Sequence, residues 1–140
     1  MKTLTLISSL FLTAFLGYSQ TEDWKFYTTQ NGVNIYTKEI DCYAKNIPDQ
    51  KAIIIKVENT TNKPLQLEWD RAIWYNDKLI TDNISNGEEH MTIEIEGNSS
   101  IEGSCEKPNG PLYLYKDFIT YQTDTKLTKF ELQNIQVVRL

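Results

Sequence analysis

The chain has 140 residues, with 14 Lys and Arg against 19 Asp and Glu for a net charge of −5, and one histidine; it is long enough for one domain of ordinary size with one core. A negative balance without a basic cluster repels phosphate backbones and anionic headgroups, which argues against nucleic acid or a membrane surface as a partner. A single histidine also rules out any mechanism that needs one imidazole as base and another as metal ligand.

Residues 1–19 read as a cleavable export signal: a cation at Lys2, an apolar stretch from Leu4 to Leu16, and small Gly17 and Ser19 on either side of Tyr18. The stretch falls short of the roughly 20 apolar residues that a spanning helix requires. Cleavage after Ser19 would leave Gln20 first and a single domain over 20–140, with 13 cations against 19 acids and a net charge of −6. No cysteine stands near that junction to carry a lipid, and no second long apolar run follows. The expectation is a soluble product without a membrane anchor, periplasmic or extracellular. In such an oxidising compartment Cys42 and Cys105 are expected to form a disulfide, free thiols or metal ligands being the alternative.

Beyond the signal the apolar pattern has period two. Val33, Ile35 and Thr37 share one face of a strand, as do Ile53, Ile55 and Val57. Leu65, Leu67 and Trp69 continue it, followed by Met91, Ile93 and Ile95 with Thr92, Glu94 and Glu96 opposite. Phe130 and Leu132 alternate with charges, and Ile135 and Val137 resume one residue out of step, which predicts a bulge near Gln133 and Asn134. Asn31-Gly32, Asn76-Asp77, Asn86-Gly87, Gly97-Asn98 and Asn109-Gly110-Pro111 supply turn residues between these runs. The segment 59–64 is a further reversal, predicting that the strands on either side of it form a hairpin. Short strands, frequent turns and no sustained helical stripe predict an all-β antiparallel sandwich of about seven or eight strands; a small β-barrel is the alternative.

Residues 53–69, an apolar strand, a polar turn and a second strand bearing Trp69, resemble a strand pair of immunoglobulin-like and fibronectin-like domains. The resemblance implies an immunoglobulin-like sandwich with Trp69 in its core. Trp69 and Trp74 lie farther beyond Cys42 than in a true immunoglobulin domain, and neither cysteine stands in an alternating apolar run. The chain also resembles short exported proteins of flavobacterial type, whose signals often place Gln just after the cut.

Candidate sites are few. His90 would have to serve any Ser-His-Asp chemistry, but the chain has no Gly-x-Ser-x-Gly elbow. With Glu88, Glu89 and Met91 it could offer donors to a metal, yet there is no second histidine and no Cys-x-x-Cys or calcium-loop spacing. Glu94 and Glu96 share a face at a carboxylate spacing that glycoside hydrolysis could use, and the wet side of a half-buried strand accounts for them equally. Asn59, Asn83 and Asn98 head Asn-x-Ser/Thr triplets, read as turn residues in a bacterial protein.

Aromatic residues are the more informative group: Trp24, Phe26, Tyr27, Trp69, Trp74, Tyr75, Tyr113, Tyr115 and Tyr121. A regular strand over 65–75 would bury Trp69 and turn Trp74 outward with Gln66 and Glu68, whereas a bulge near Asp70-Arg71 would re-aim Trp74 inward. An outward Trp74, with Tyr113 and Tyr115, would form a platform for a sugar ring or a partner's apolar side chain. The C-terminal run Ile135, Val137, Val138 and Leu140 reads as a last strand or as an edge that accepts a partner's strand. The function these features imply is an exported, non-enzymatic module, without a cofactor, that binds a protein or glycan. A metal-binding or hydrolytic protein centred on His90 and a subunit assembling through edge strands are the alternatives.

Overall fold

The computed structural model describes residues 23–81 and 89–140. The export signal over 1–19, Asn83, the Asn86-Gly87 turn and Glu88 lie outside the described residues. Nine strands are present there: β1 (Lys25–Gln30), β2 (Val33–Cys42), β3 (Gln50–Asn59), β4 (Leu65–Tyr75), β5 (Lys78–Thr81), β6 (His90–Ile95), β7 (Ser99–Glu102), β8 (Tyr113–Phe118) and β9 (Leu127–Arg139). The count exceeds the expected seven or eight because four-residue β5 and β7 are too short to show a period. Two-residue loops join β1 to β2 and β4 to β5. Both central residues of each loop have positive φ, Asn31 48° with Gly32 82° and Asn76 50° with Asp77 63°, the backbone twist that a tight hairpin requires.

All pairings are antiparallel and fall into two sheets, neither closed into a barrel. In the first sheet, β3 pairs with β2 along its full length, and β1 lies outside β2. The other edge of β3 is shared by β8, against residues 50–54, and β7, against 56–59. In the second sheet, β9 runs along one edge of β4, while β6 covers 65–70 and β5 covers 73–75 of the other. The alternating apolar residues meet between the sheets: Val33, Ile35, Ile55, Val57, Leu65, Leu67, Trp69, Ile95 and Leu132 form one buried cluster. The extra residue in β9 falls at Asn134, whose φ is 51°, between the partners of Glu68 and Asp70. That bulge restores the inward parity of Ile135 and Val137.

One expectation is overturned. β3 and β4 do not form a hairpin, because they belong to different sheets and segment 60–64 crosses between them. The cause is Asn59, only 1% exposed. Its Nδ2 donates to the carbonyls of Lys63 (2.8 Å), Glu96 (3.1 Å) and Ile95 (3.3 Å), and its Oδ1 accepts from the Thr61 amide (3.0 Å) and Thr61 Oγ1 (2.7 Å). These bonds bend the chain away from β2 and tie it to the end of β6. Gly97 completes the corner, since a Cβ there would lie 2.5 Å from the Asn62 carbonyl carbon.

Each sheet also caps an edge of the other. Arg71 Nη1 donates to the Tyr113 carbonyl (3.2 Å) and Tyr75 Oη to the Tyr115 carbonyl (2.9 Å), occupying backbone acceptors of β8. On β9, the Leu132 amide donates to Tyr27 Oη (2.9 Å), and Gln30 Nε2 donates to the Ile135 carbonyl (2.7 Å). Backbone groups so engaged are withdrawn from pairing with another chain. Burial, then the neighbouring Tyr115, pushes the Tyr75 phenol up to about 12. The folded state therefore holds that proton more tightly than the unfolded chain, so this contribution is intact below pH 10 and is lost as pH rises from 10 towards 12. Tyr75→Phe is expected to lower stability at neutral pH by about 1 kcal/mol and to flatten the decline above pH 10, as read by urea unfolding across pH.

Cys42 and Cys105 are disulfide-bonded, with Cα atoms 5.4 Å apart. Cys42 closes β2, so it does stand in a strand, but on the face turned away from the inter-sheet core. It is fully buried there with Ala52, Ile54 and Tyr113, and Trp24, Ile40, Ile47, Cys105 and Tyr115 pack around them. The bond thus fastens the connection between β7 and β8 over the outside of the first sheet and creates a second small core.

Candidate functional site

Next to that second core, the outer face of the first sheet carries a row of aromatic and polar side chains. Register builds it: Phe26 is opposite Tyr36, Tyr36 opposite Lys56, and Asn34 opposite Glu58, so these residues stand in two adjacent cross-strand rows. Phe26 remains exposed because the extra residue in β1 is Tyr27. The bulge between Phe26 and Thr28 lets Tyr27 turn inward to stack on Phe130, at 6.2 Å between centroids, while Phe26 keeps its outward aim. Phe26 is 61% exposed and is held edge-on by Tyr36, with centroids 5.8 Å apart and planes at 75°. Trp24 continues the surface, with the ammonium groups of Lys56 and Lys38 at 5.3 and 5.6 Å from its ring.

Polar groups border the rings in fixed positions. Glu58 Oε2 accepts from Tyr36 Oη and Asn34 Nδ2, each at 3.2 Å. Burial and then the Glu58 charge push the Tyr36 phenol upward, so it stays a protonated donor at neutral pH. Beyond Glu58 the surface opens into a recess of about 340 Å³ lined by Glu58, Asn59, Thr60, Asn98, Ser99 and Ser100. Lys56 Nζ also lies over the Tyr36 ring at 5.5 Å, so Phe26 is the open ring of a surface that continues to hydroxyl, amide and carboxylate groups, mounted on hydrogen-bonded strands.

The residues picked out from sequence are distributed differently. Trp74 faces outward, opposite Lys129, so β4 is regular through Asp70-Arg71 and the bulge lies in β9 instead. Lys129 Nζ sits 4.5 Å from the Trp74 ring centroid and is itself held by Glu131 at 2.7 Å. Tyr113 and Tyr115 are in the other sheet, in the cluster beneath the disulfide, and Tyr113 is only 3% exposed. The three therefore do not form one platform. Strand parity could place each residue on a face but could not say which sheet owned β8. Phe26 and Tyr36 were accessible only through the β1–β2 register, which the Asn31-Gly32 turn fixes and the bulge at Tyr27 then shifts by one.

The segment around His90 is also divided. Glu89 turns inward to Arg71 (2.7 Å), both side chains less than one-fifth exposed. His90 faces outward to Asp70, with Nδ1 2.8 Å from Oδ1, and Asp70 Oδ2 accepts from Asn134 Nδ2 (2.9 Å). Neighbours in sequence on a strand end project to opposite sides, so Glu89 and His90 cannot ligate one ion together. Among the described residues no three His, Cys, Asp or Glu side chains are grouped to hold a metal. Glu94 and Glu96 are both exposed. The Arg71–Glu89 pair borders a cleft of about 370 Å³ shared with Tyr75, Tyr113 and Tyr115, where its observed bonds serve to cap β8.

Compared with family models, characterised proteins and solved structures, the chain matches none.

Proposed function

We propose that this chain is a non-catalytic binding module, acting outside the cytoplasm, that holds a glycan on the outer face of its first sheet. The observation that carries this reading is the open Phe26 ring, set edge-on to Tyr36 in one cross-strand row and followed by the Asn34–Glu58 pair and the recess beyond it. A pyranose ring has one face of C–H bonds and a rim of hydroxyls. The first packs on aromatic rings; the second accepts hydrogen bonds from amide and ammonium groups and donates them to carboxylates. Apolar rings leading into fixed polar partners suit that chemistry better than a wholly apolar partner surface. A preformed sheet surface also limits the ordering cost of binding. The reading of residues 1–19 as a signal and the disulfide both favour an oxidising location. No helix among the described residues is long and apolar enough to cross a membrane.

Calorimetric titration with cello-, xylo- and chito-oligosaccharides is the direct test. At least one series is expected to bind, and Phe26→Ala to weaken it about tenfold or more, through loss of roughly 1.5–3 kcal/mol of stacking and apolar contact. Trp74→Ala, on the opposite sheet, is expected to leave affinity unchanged. Loss of binding through Trp74 with Phe26→Ala silent would move the site to the second sheet and end this assignment.

A further inference from the structure

A second site lies at the end of the sandwich where the β1–β2 turn, the 60–64 crossing and the end of β9 converge. There a cleft of about 530 Å³ is lined by Asn31, Thr61, Asn62, Lys63, Leu65, Val137 and Arg139. We propose that this cleft binds a sugar acid, a carboxylate carried on a body of about the size of one pyranose ring.

It differs from another recess lined by two cations, where Lys116 and Lys129 are held by Glu39 and Glu131. In a chain with more acids than bases, no Asp or Glu lines it, while two cations do. Lys51, Lys116, Lys126, Lys129 and Arg71 each sit against a carboxylate. Lys63 and Arg139 make no ion pair among the described residues; several exposed lysines elsewhere are likewise without one, but these two line the same cleft. They come from segments far apart in sequence and line one concavity. A carboxylate bound in the cleft would be attracted by both cations and could accept charge-assisted hydrogen bonds from them. Val137 adds apolar surface above the buried Leu65, and Asn31 and Asn62 supply amide donors and acceptors. A phosphate or sulfate ion would leave most of this volume and the apolar wall unused.

The walls are fixed before any ligand arrives. Asn59 anchors Thr61 and Lys63 through the bonds described above, the Thr60 amide and Oγ1 both donate to the Gly32 carbonyl (2.9 and 2.7 Å), and the Asn98 amide donates to the Thr61 carbonyl (2.7 Å). Gly32 is required here twice over: its φ is 82°, and a Cβ would come within 2.6 Å of Thr61 Cγ2. The site is distinct from the aromatic face of the first sheet and stands without the glycan assignment.

Amide chemical shifts recorded during titration with sodium glucuronate, glucose and sodium sulfate test the proposal. Glucuronate is expected to give saturable shifts at residues 31–32, 61–65 and 137–139, glucose none there, and sulfate only weaker ones. Lys63→Gln and Arg139→Gln replace exposed side chains, so both variants are expected to keep the dispersed spectrum of the folded chain and each to weaken glucuronate about tenfold. Lys63→Arg is expected to retain binding. The proposal is overturned if glucuronate leaves these residues unmoved, if glucose or sulfate binds there as tightly, or if both Gln variants bind glucuronate as the parent does.

Discussion

Removing the Cys42–Cys105 bond, by reduction or as the Cys42→Ala/Cys105→Ala double variant, is expected to destabilise the fold by about 4 kcal/mol. The bond closes a loop of 63 residues, and the chain-entropy relation assigns that loop about 4 kcal/mol of restriction in the unfolded state. The loop contains β3, β4, β5, β6 and β7, so the unfolded chain released from it regains freedom over three of the four strands of the second sheet and two of the five of the first. The folded state loses something as well, because Cys42 is fully buried and Cys105 holds the β7–β8 connection onto Ala52, Ile54 and Tyr113. Trp24 packs against the same cluster, so loosening it should also weaken glycan binding on the neighbouring face. Urea unfolding with and without reductant measures the first effect, and calorimetry on the variant measures the second. A midpoint that does not move on reduction would contradict the role given to this second core.

Asn59→Ala is expected to cost about 3 kcal/mol, more than most single substitutions. One buried amide serves the Lys63, Ile95 and Glu96 carbonyls and the Thr61 amide and hydroxyl. Removing it leaves several partners in a poorly solvated corner, each unsatisfied group costing on the order of 1–3 kcal/mol, with water repaying part at the exposed side. The change also frees the segment that carries Lys63, so the loss should be accompanied by faster hydrogen exchange at Thr60, Thr61 and Asn98. Urea unfolding together with exchange at those amides provides the check. A loss below about 1 kcal/mol, with exchange unaltered, would mean that the crossing between sheets is held by other contacts.

Much of the sandwich was readable from period-two spacing, for a physical reason. Each central strand buries one face, so Leu65, Leu67 and Trp69 or Ile55 and Val57 had to be apolar whatever the topology. The bulge in β9 was readable too, because an extra residue shifts parity and Asn134 tolerates the positive φ it requires. Sheet membership was not readable. Alternation gives the face a residue occupies but not which strands pair, and the segment 59–64 looked like a hairpin turn until the five bonds of Asn59 were seen to cross it between sheets. The same limit scattered the aromatic platform drawn from Trp74, Tyr113 and Tyr115, since β4 and β8 belong to opposite sheets. Phe26 gave only a weak signal, an apolar residue in a polar strand, and its neighbours Tyr36, Lys56 and Glu58 are brought beside it by long-range register alone. His90 illustrates the converse: adjacent residues that read as one donor set are separated by the pleat, one towards Arg71 and one towards Asp70.

The proposed ligand site is the outer face of the first sheet, with Phe26 as its open ring. Amide and indole chemical-shift mapping with the tightest-binding oligosaccharide tests it most directly. Saturable shifts are expected at Trp24, Phe26, Asn34, Tyr36, Lys56 and Glu58, extending to Ser99 and Ser100, with Trp74 and Lys129 unmoved. Shifts centred on Trp74 and Lys129, or no saturable shift with any of the three oligosaccharide series, would contradict it.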